Sequence, residues 1–281
     1  MDLGSRVAVV GLGTMGAGIA EVFARSGWDV VGVERTPADL QRGLARVARS
    51  TQRAVDRGKL TAQERAEVLG RVRGTTDLAD LGDRDLAVEA ISEDLAAKRV
   101  VMAALDAVLA PHAVIATNTS SLSVTEISVA THRPDRVVGM HFFNPAPLMP
   151  LVEVVQGDRT AEAVVQATVA LAEQWGKRPV VAQDNPGFIV NRIARPFYLE
   201  ALRLLGDGVA DVPTIDRLVR SAGFRLGPFE LLDLIGLDVN LAVTQSVYDA
   251  TFGEPRFRPH PIQARLVAAG RLGRKTGGGF Y

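Results

Sequence analysis

Val7-Ala8-Val9-Val10 runs straight into Gly11-Leu12-Gly13-Thr14-Met15-Gly16, and the order of these ten residues decides the fold. Four consecutive apolar residues read as a strand buried on both faces. The glycines allow a tight turn out of it. Ile19, Ala20, Val22, Phe23 and Ala24 then follow at helical spacing, and Arg25-Ser26-Gly27 closes the helix on a glycine. Trp28-Asp29-Val30-Val31-Gly32-Val33-Glu34 supplies a second strand. Strand, glycine turn, helix, strand is a βαβ unit with an expected right-handed crossover.

Each glycine has a physical task in such a turn. Gly11 permits the sharp reversal, Gly13 lets the backbone approach a pyrophosphate, and Gly16 lets helix and strand pack closely. Thr14 and Met15 open the helix, whose unpaired N–H groups and dipole favour phosphate. Glu34 ends the second strand, 23 residues after Gly11, where a carboxylate accepts hydrogen bonds from ribose hydroxyls. A carboxylate there repels a 2′-phosphate, so the expected cofactor is NAD. Arg35, next door, is the feature that would favour NADP. The bland alternative is a purely structural turn.

Outward from this unit the chain repeats its rhythm. Thr36-Pro37 opens an Arg- and Ala-rich helix running to about Gly58, and Thr61-Ala62-Gln63-Glu64 reads as a capping box starting another. Strand-like segments recur at Leu86–Glu89, Ala113–Thr117 and Val137–Met140, with a helix near 95–109 between the first two. Leu151–Val155 and Pro179–Ala182 add strands flanking a helix near 160–175. This predicts a mostly parallel, doubly wound Rossmann-like sheet with an inserted helical hairpin, over residues 1–183. After Asp184-Asn185-Pro186-Gly187 the alternation of strands stops. Helices are expected at 188–205, 212–222, 229–250 and 261–269, making 184–281 an all-α C-terminal domain.

The 281 residues are 47% apolar and 23% charged, the balance of a globular protein. Basic and acidic residues are equal at 32 each, and no basic cluster interleaves with aromatics, so no nucleic-acid partner is expected. No apolar run approaches the ~20 residues of a membrane span, and the N-terminus does not read as a signal peptide, so a cytoplasmic protein is expected. Cysteine is absent, which excludes disulfides, thiolate nucleophiles and cysteine-ligated metal. The four histidines lack ligand spacing, so no metal is expected. The tail ends abruptly at Tyr281, and further residues could follow it.

Five further stretches carry a resemblance. Met140-His141-Phe142-Phe143-Asn144-Pro145 with Leu151-Val152-Glu153, Asn118-Thr119-Ser120-Ser121-Leu122, Pro186-Gly187-Phe188-Ile189-Val190-Asn191-Arg192, Gly227–Asp233 and Leu272–Tyr281 resemble, in order, the L-3-hydroxyacyl-CoA dehydrogenase family. The bacterial 3-hydroxybutyryl-CoA dehydrogenases are the nearest subgroup. The resemblance implies that His141 is the catalytic base and Glu153 its carboxylate partner. It implies that Ser120 contacts the substrate oxygen and that Asn191 bonds substrate or cofactor. Glu93, Lys98 and Asn118 match positions bordering the nicotinamide ribose, although Glu93 and Lys98 read equally as a helix-end ion pair. An acyl-CoA thioester would lie across the cleft between domains, with Ser50, Arg57 and Lys59 on the hairpin as candidate contacts. A solvated charge run of Arg42, Arg46, Arg49, Arg53 and Arg57 is the alternative reading of this helix. The family also implies a homodimer through the C-terminal domain.

The expected reaction is NAD-dependent, reversible oxidation of an L-(S)-3-hydroxyacyl-CoA, of short chain such as 3-hydroxybutyryl-CoA, in fatty acid metabolism. One rival is an L-gulonate-type dehydrogenase of free hydroxy acids. Another is a 3-hydroxyadipyl-CoA dehydrogenase, which needs a cation at the distal end of the acyl pocket that the sequence does not locate. A dinucleotide-binding sensor without turnover is the non-enzymatic rival.

Overall fold

The computed structural model describes residues 3–281, and backbone contacts divide the chain into two compact units meeting between Asn185 and Pro186. That junction falls two residues beyond the 183/184 boundary drawn from sequence.

The first unit is one eight-stranded sheet covered by helices. Its strands are β1 (Arg6–Val10), β2 (Asp29–Val33), β3 (Val72–Thr75), β4 (Leu86–Glu89), β5 (Val114–Thr117), β6 (Val137–Phe142), β7 (Leu151–Gln156) and β8 (Arg178–Gln183), in the spatial order β3-β2-β1-β4-β5-β6-β7-β8. The first six are parallel. β7 runs antiparallel to β6, and β8 pairs parallel with β7. The order reverses between β1 and β4, the switch point outside which open α/β sheets bind ligands. The inner strands are buried on both faces, which is why they read as unbroken apolar runs.

Helix α1 (Thr14–Arg25) packs on β1 and β2, and Phe23 anchors it between Trp28 and Trp175 with ring centroids 5.2 and 4.4 Å away. The hairpin is α2 (Pro37–Asp56) and α3 (Ala62–Gly70), the latter opened by the reciprocal Thr61–Glu64 capping box its sequence predicts. α4 (Leu95–Val108), α5 (Val124–Ser128) and α6 (Glu162–Gln174) complete the unit. Strand β3 went unread because Val72 is the only strongly apolar residue in Val72-Arg73-Gly74-Thr75, and an edge strand needs few.

The second unit is all-α: α7 (Val190–Gly206), α8 (Val212–Ser221), α9 (Pro228–Ile235), α10 (Leu237–Ala250) and α11 (Pro261–Ala268). The single helix expected over 229–250 is two helices. Gly236 between them has φ +106°, and a residue in that region cannot continue a right-handed helix. Leu199, Leu202, Phe229, Leu232 and Leu237 form this unit's core. The C-terminal tail is pinned to it by Asp233, which accepts from the Phe280 and Tyr281 amides, and by Asp216, which accepts from the Tyr281 hydroxyl at 2.8 Å. Among the described residues no helix is long and apolar enough to cross a membrane.

Candidate active site

The glycine turn has the shape its sequence implies. Gly11 sits at φ +90°, and its amide donates to the Val33 carbonyl at 2.9 Å. A Cβ on Gly16 would lie 1.7 Å from the Gly11 carbonyl oxygen, so no larger residue fits there. At Gly13 a Cβ would meet nothing within 4 Å, and no side chain caps α1. The uncapped first turn of α1 and the space at Gly13 fit a pyrophosphate. Glu34 follows β2, and its Oε1 accepts from the Leu12 amide at 2.6 Å. This bond ties the acidic residue to the glycine turn and leaves Oε2 for ribose hydroxyls. Arg35 is exposed beside it. These residues fit an NAD molecule.

His141 and Glu153 face each other in register across the antiparallel pair β6–β7. Directly opposed residues share a sheet face, and the His141 Nδ1 lies 2.6 Å from Glu153 Oε2. Both side chains are buried, at 7% and 1% exposure. A neutral imidazole facing a carboxylate, which only accepts, carries its proton on Nδ1 and its lone pair on Nε2. The Phe143 ring packs 4.5 Å from the imidazole. Asn118, just beyond β5, accepts from the Phe142 amide at 2.9 Å, binding the ends of β5 and β6 together beside the histidine.

The loop after β5 is organised by Glu93. Its Oε1 meets the Thr119 hydroxyl at 2.7 Å and the Ser120 and Ser121 amides at 2.8 and 3.0 Å. The Ser120 and Ser121 hydroxyls stand farther off, at 3.2 Å each. One oxygen cannot serve five donors equally, so these two hydroxyls are the weaker of its donors. Burial pushes the Glu93 carboxyl up, but the Lys98 charge and the Thr119, Ser120 and Ser121 donors outweigh it and hold it below its usual range.

Lys98 is fully buried on α4, 2.7 Å from Glu89 Oε1 and 3.5 Å from Glu93 Oε2. Glu89 also accepts from the Ile91 amide and the Thr117 hydroxyl, both at 2.7 Å. Glu93 and Lys98 do form the ion pair of the second sequence reading, and Glu89 is its third member. Sequence reasoning passed over Glu89; its signal is an acid closing the apolar run Leu86-Ala87-Val88 at the sheet's ligand-facing edge.

Ser50 lines a cavity of about 280 Å³ with Arg46, Arg49 and Arg53 of α2 and Thr14 of α1. Arg57 caps the C-terminal end of α2 and Lys59 follows it; neither lines this cavity. The three arginines recur at helical spacing, a signal read in the sequence only as surface charge.

In the second unit Asn191 stands in the first turn of α7. One turn on, the buried Arg195 places its Nη2 3.5 Å from Asn191 Oδ1. Burial lowers this guanidinium to about 10, with the Tyr198 charge opposing.

A two-domain, NAD-binding dehydrogenase is the class that this sheet, turn and buried histidine–carboxylate pair define. Residues 6–185 match the 3-hydroxyacyl-CoA dehydrogenase NAD binding domain, and residues 187–281 match the C-terminal domain of the same family. The chain belongs to the 3-hydroxyacyl-CoA dehydrogenase family and is closely related to its bacterial 3-hydroxybutyryl-CoA dehydrogenases. It is 49% identical over 276 residues to the 3-hydroxyadipyl-CoA dehydrogenase of Escherichia coli, covering 98% of this chain but 58% of that longer relative. It is 43% identical to the 3-hydroxybutyryl-CoA dehydrogenase of Clostridioides difficile, covering 98% of both. The crystal structure of (S)-3-hydroxybutyryl-CoA dehydrogenase from Ralstonia eutropha superposes with a TM-score of 0.93 at 42% identity, covering 99% of this chain and 98% of that one.

Proposed function

We propose that the chain oxidises an L-3-hydroxyacyl-CoA to the 3-ketoacyl-CoA, reversibly, with His141 as the acid–base residue. The observation that carries this is the 2.6 Å contact between His141 Nδ1 and Glu153 Oε2. It fixes the ring so that Nε2 is the basic nitrogen, and it sets a carboxylate against the positive ring that forms when Nε2 takes the hydroxyl proton. Bound NAD supplies the acceptor for the hydrogen leaving C3. Ser120 and Asn191 place the reacting oxygen. Asn118, its carbonyl oxygen held by the Phe142 amide, is left to donate from its amide nitrogen to the cofactor. Glu93 and Lys98 act at the cofactor's edge through the loop and strand they hold rather than as free side chains.

The named relatives act, by their names, on 3-hydroxybutyryl-CoA and 3-hydroxyadipyl-CoA, so the acyl group is short. Ser50, with Arg46, Arg49 and Arg53, offers the anionic CoA arm a basic cavity. Arg57 and Lys59 are secondary, placed for long-range attraction. The chain forms a homodimer through its second unit, a reading supported by exposed Ile193, Leu218, Phe224 and Leu234 there. A cytoplasmic setting agrees with the absence of cysteine.

The test is NADH oxidation with acetoacetyl-CoA, run beside free gulonate, for the wild type and His141→Ala. We expect thioester turnover that the variant loses. Equal rates in both proteins, or turnover of gulonate alone, would overturn the reading.

A further inference from the structure

The connection between β6 and β7 is short of hydrogen-bond donors of its own. In Asn144-Pro145-Ala146-Pro147-Leu148-Met149-Pro150 three of seven residues are prolines, which have no N–H to give. Within it the Leu148 and Met149 amides both turn to the Pro145 carbonyl, at 2.9 and 3.0 Å. The Ala146 and Met149 carbonyls are met from outside, by the Lys177 ammonium, which donates to them at 2.6 and 2.9 Å. One side chain, standing just before β8, thus staples two points of the connection. The next amide, that of Arg178, continues the attachment by donating to the Pro150 carbonyl at 2.7 Å.

Lys177 is costly to keep there. It is partly buried, both its partners are neutral, and among the described residues no carboxylate pairs with it. Burial, and then the nearby Arg25 charge, lower the ammonium below its usual range. Arg25 itself is paired by Glu21, fully buried one turn back on α1. An apolar side chain would fill the same space without this penalty. What the ammonium adds is its donors to the connection.

The stapled segment is a wall. Asn144, Pro145, Ala146 and Pro147 line the cavity of about 280 Å³ that Arg49, Ser50 and Arg53 of α2 also line. The wall rests on α1: a Cβ added at Gly18 would lie 3.3 Å from both Ala146 Cβ and Pro147 Cδ. With no room on that side, a wall released by Lys177 moves outward. Lys177 does not line the cavity, so it acts on it only through the connection.

We propose that Lys177 is a positioning residue for the CoA arm of the substrate, holding the 144–147 wall at the distance from the α2 arginines that the arm's phosphates require. This rests on the reading of that cavity as the CoA site.

The test is the ratio of kcat/KM for acetoacetyl-CoA to that for acetoacetyl-pantetheine, which has the same reacting thioester and none of the nucleotide's phosphates. The wild type should favour the CoA thioester by about tenfold or more. Lys177→Met should lower the ratio about tenfold, through KM for acetoacetyl-CoA rather than through kcat. Lys177→Arg, which keeps donors for the carbonyls, should retain much of it. General damage to folding or to His141 strikes both substrates alike and cancels in the ratio. Arg53→Ala, in the cavity itself, should also lower the ratio. A ratio unchanged in Lys177→Met but lowered in Arg53→Ala overturns the positioning role, as does a fall seen in kcat alone. A wild type without preference for the CoA thioester, or a ratio unchanged in both variants, overturns the reading of the cavity and the proposal with it.

Discussion

In the proposed reaction His141 draws on the carboxylate of Glu153. The imidazole alone would be a buried ring; with Glu153 at 2.6 Å it is a ring with a defined basic nitrogen. We expect His141→Ala to lower kcat about a thousandfold, and Glu153→Gln, which keeps the shape but not the charge, to lower it ~10- to 100-fold. Steady-state assays at saturating NAD check both. Gly16 acts by what it lacks. A methyl there would collide with the Gly11 carbonyl, so Gly16→Ala should cost ~3 kcal/mol in urea denaturation and abolish tight NAD binding in fluorescence titration. Gly16 was legible in the sequence because its requirement is local, whereas His141 stood out only through the motif that carries the family resemblance. Glu89 and Arg195 were not legible there. A glutamate closing a strand and an arginine inside a helix become unusual only when folding buries them, which depends on contacts 9 to 49 residues away.

At the scale of elements, the turn after β5 depends on one carboxylate. Glu93 is held below its usual range in the folded chain, so its contribution to stability is present above the unfolded value of ~4.3. It is lost as pH falls through the lowered folded value. Hydrogen exchange should therefore show residues 119–121 loosening in acid before the sheet core does, and Glu93→Gln should loosen them already at neutral pH. The tail gives a second case. Tyr281→Phe removes the bond to the buried Asp216 and should lower unfolding free energy by ~1 kcal/mol in chemical denaturation. Helix caps such as Thr61–Glu64 could be read directly, since they involve neighbours. The break at Gly236 and the edge strand β3 could not. Apolar periodicity runs on through the first, and the second has too little of it to register.

For the whole molecule, alternating strands followed by continuous helices announced two units, while the order of the strands in the sheet came only with the structure. The reversal at β7 had no such signal, because an antiparallel strand buried on both faces looks like a parallel one. The exposed apolar residues of the second unit predict a dimer of about 60 kDa, twice 30.0 kDa, in light scattering at micromolar concentration; a 30.0 kDa species would contradict it. The in-register meeting of β6 and β7 also limits how the chain can change length. Adding or deleting a single residue within either strand would send the imidazole and its carboxylate to opposite sides of the sheet, ending turnover while leaving the composition almost untouched.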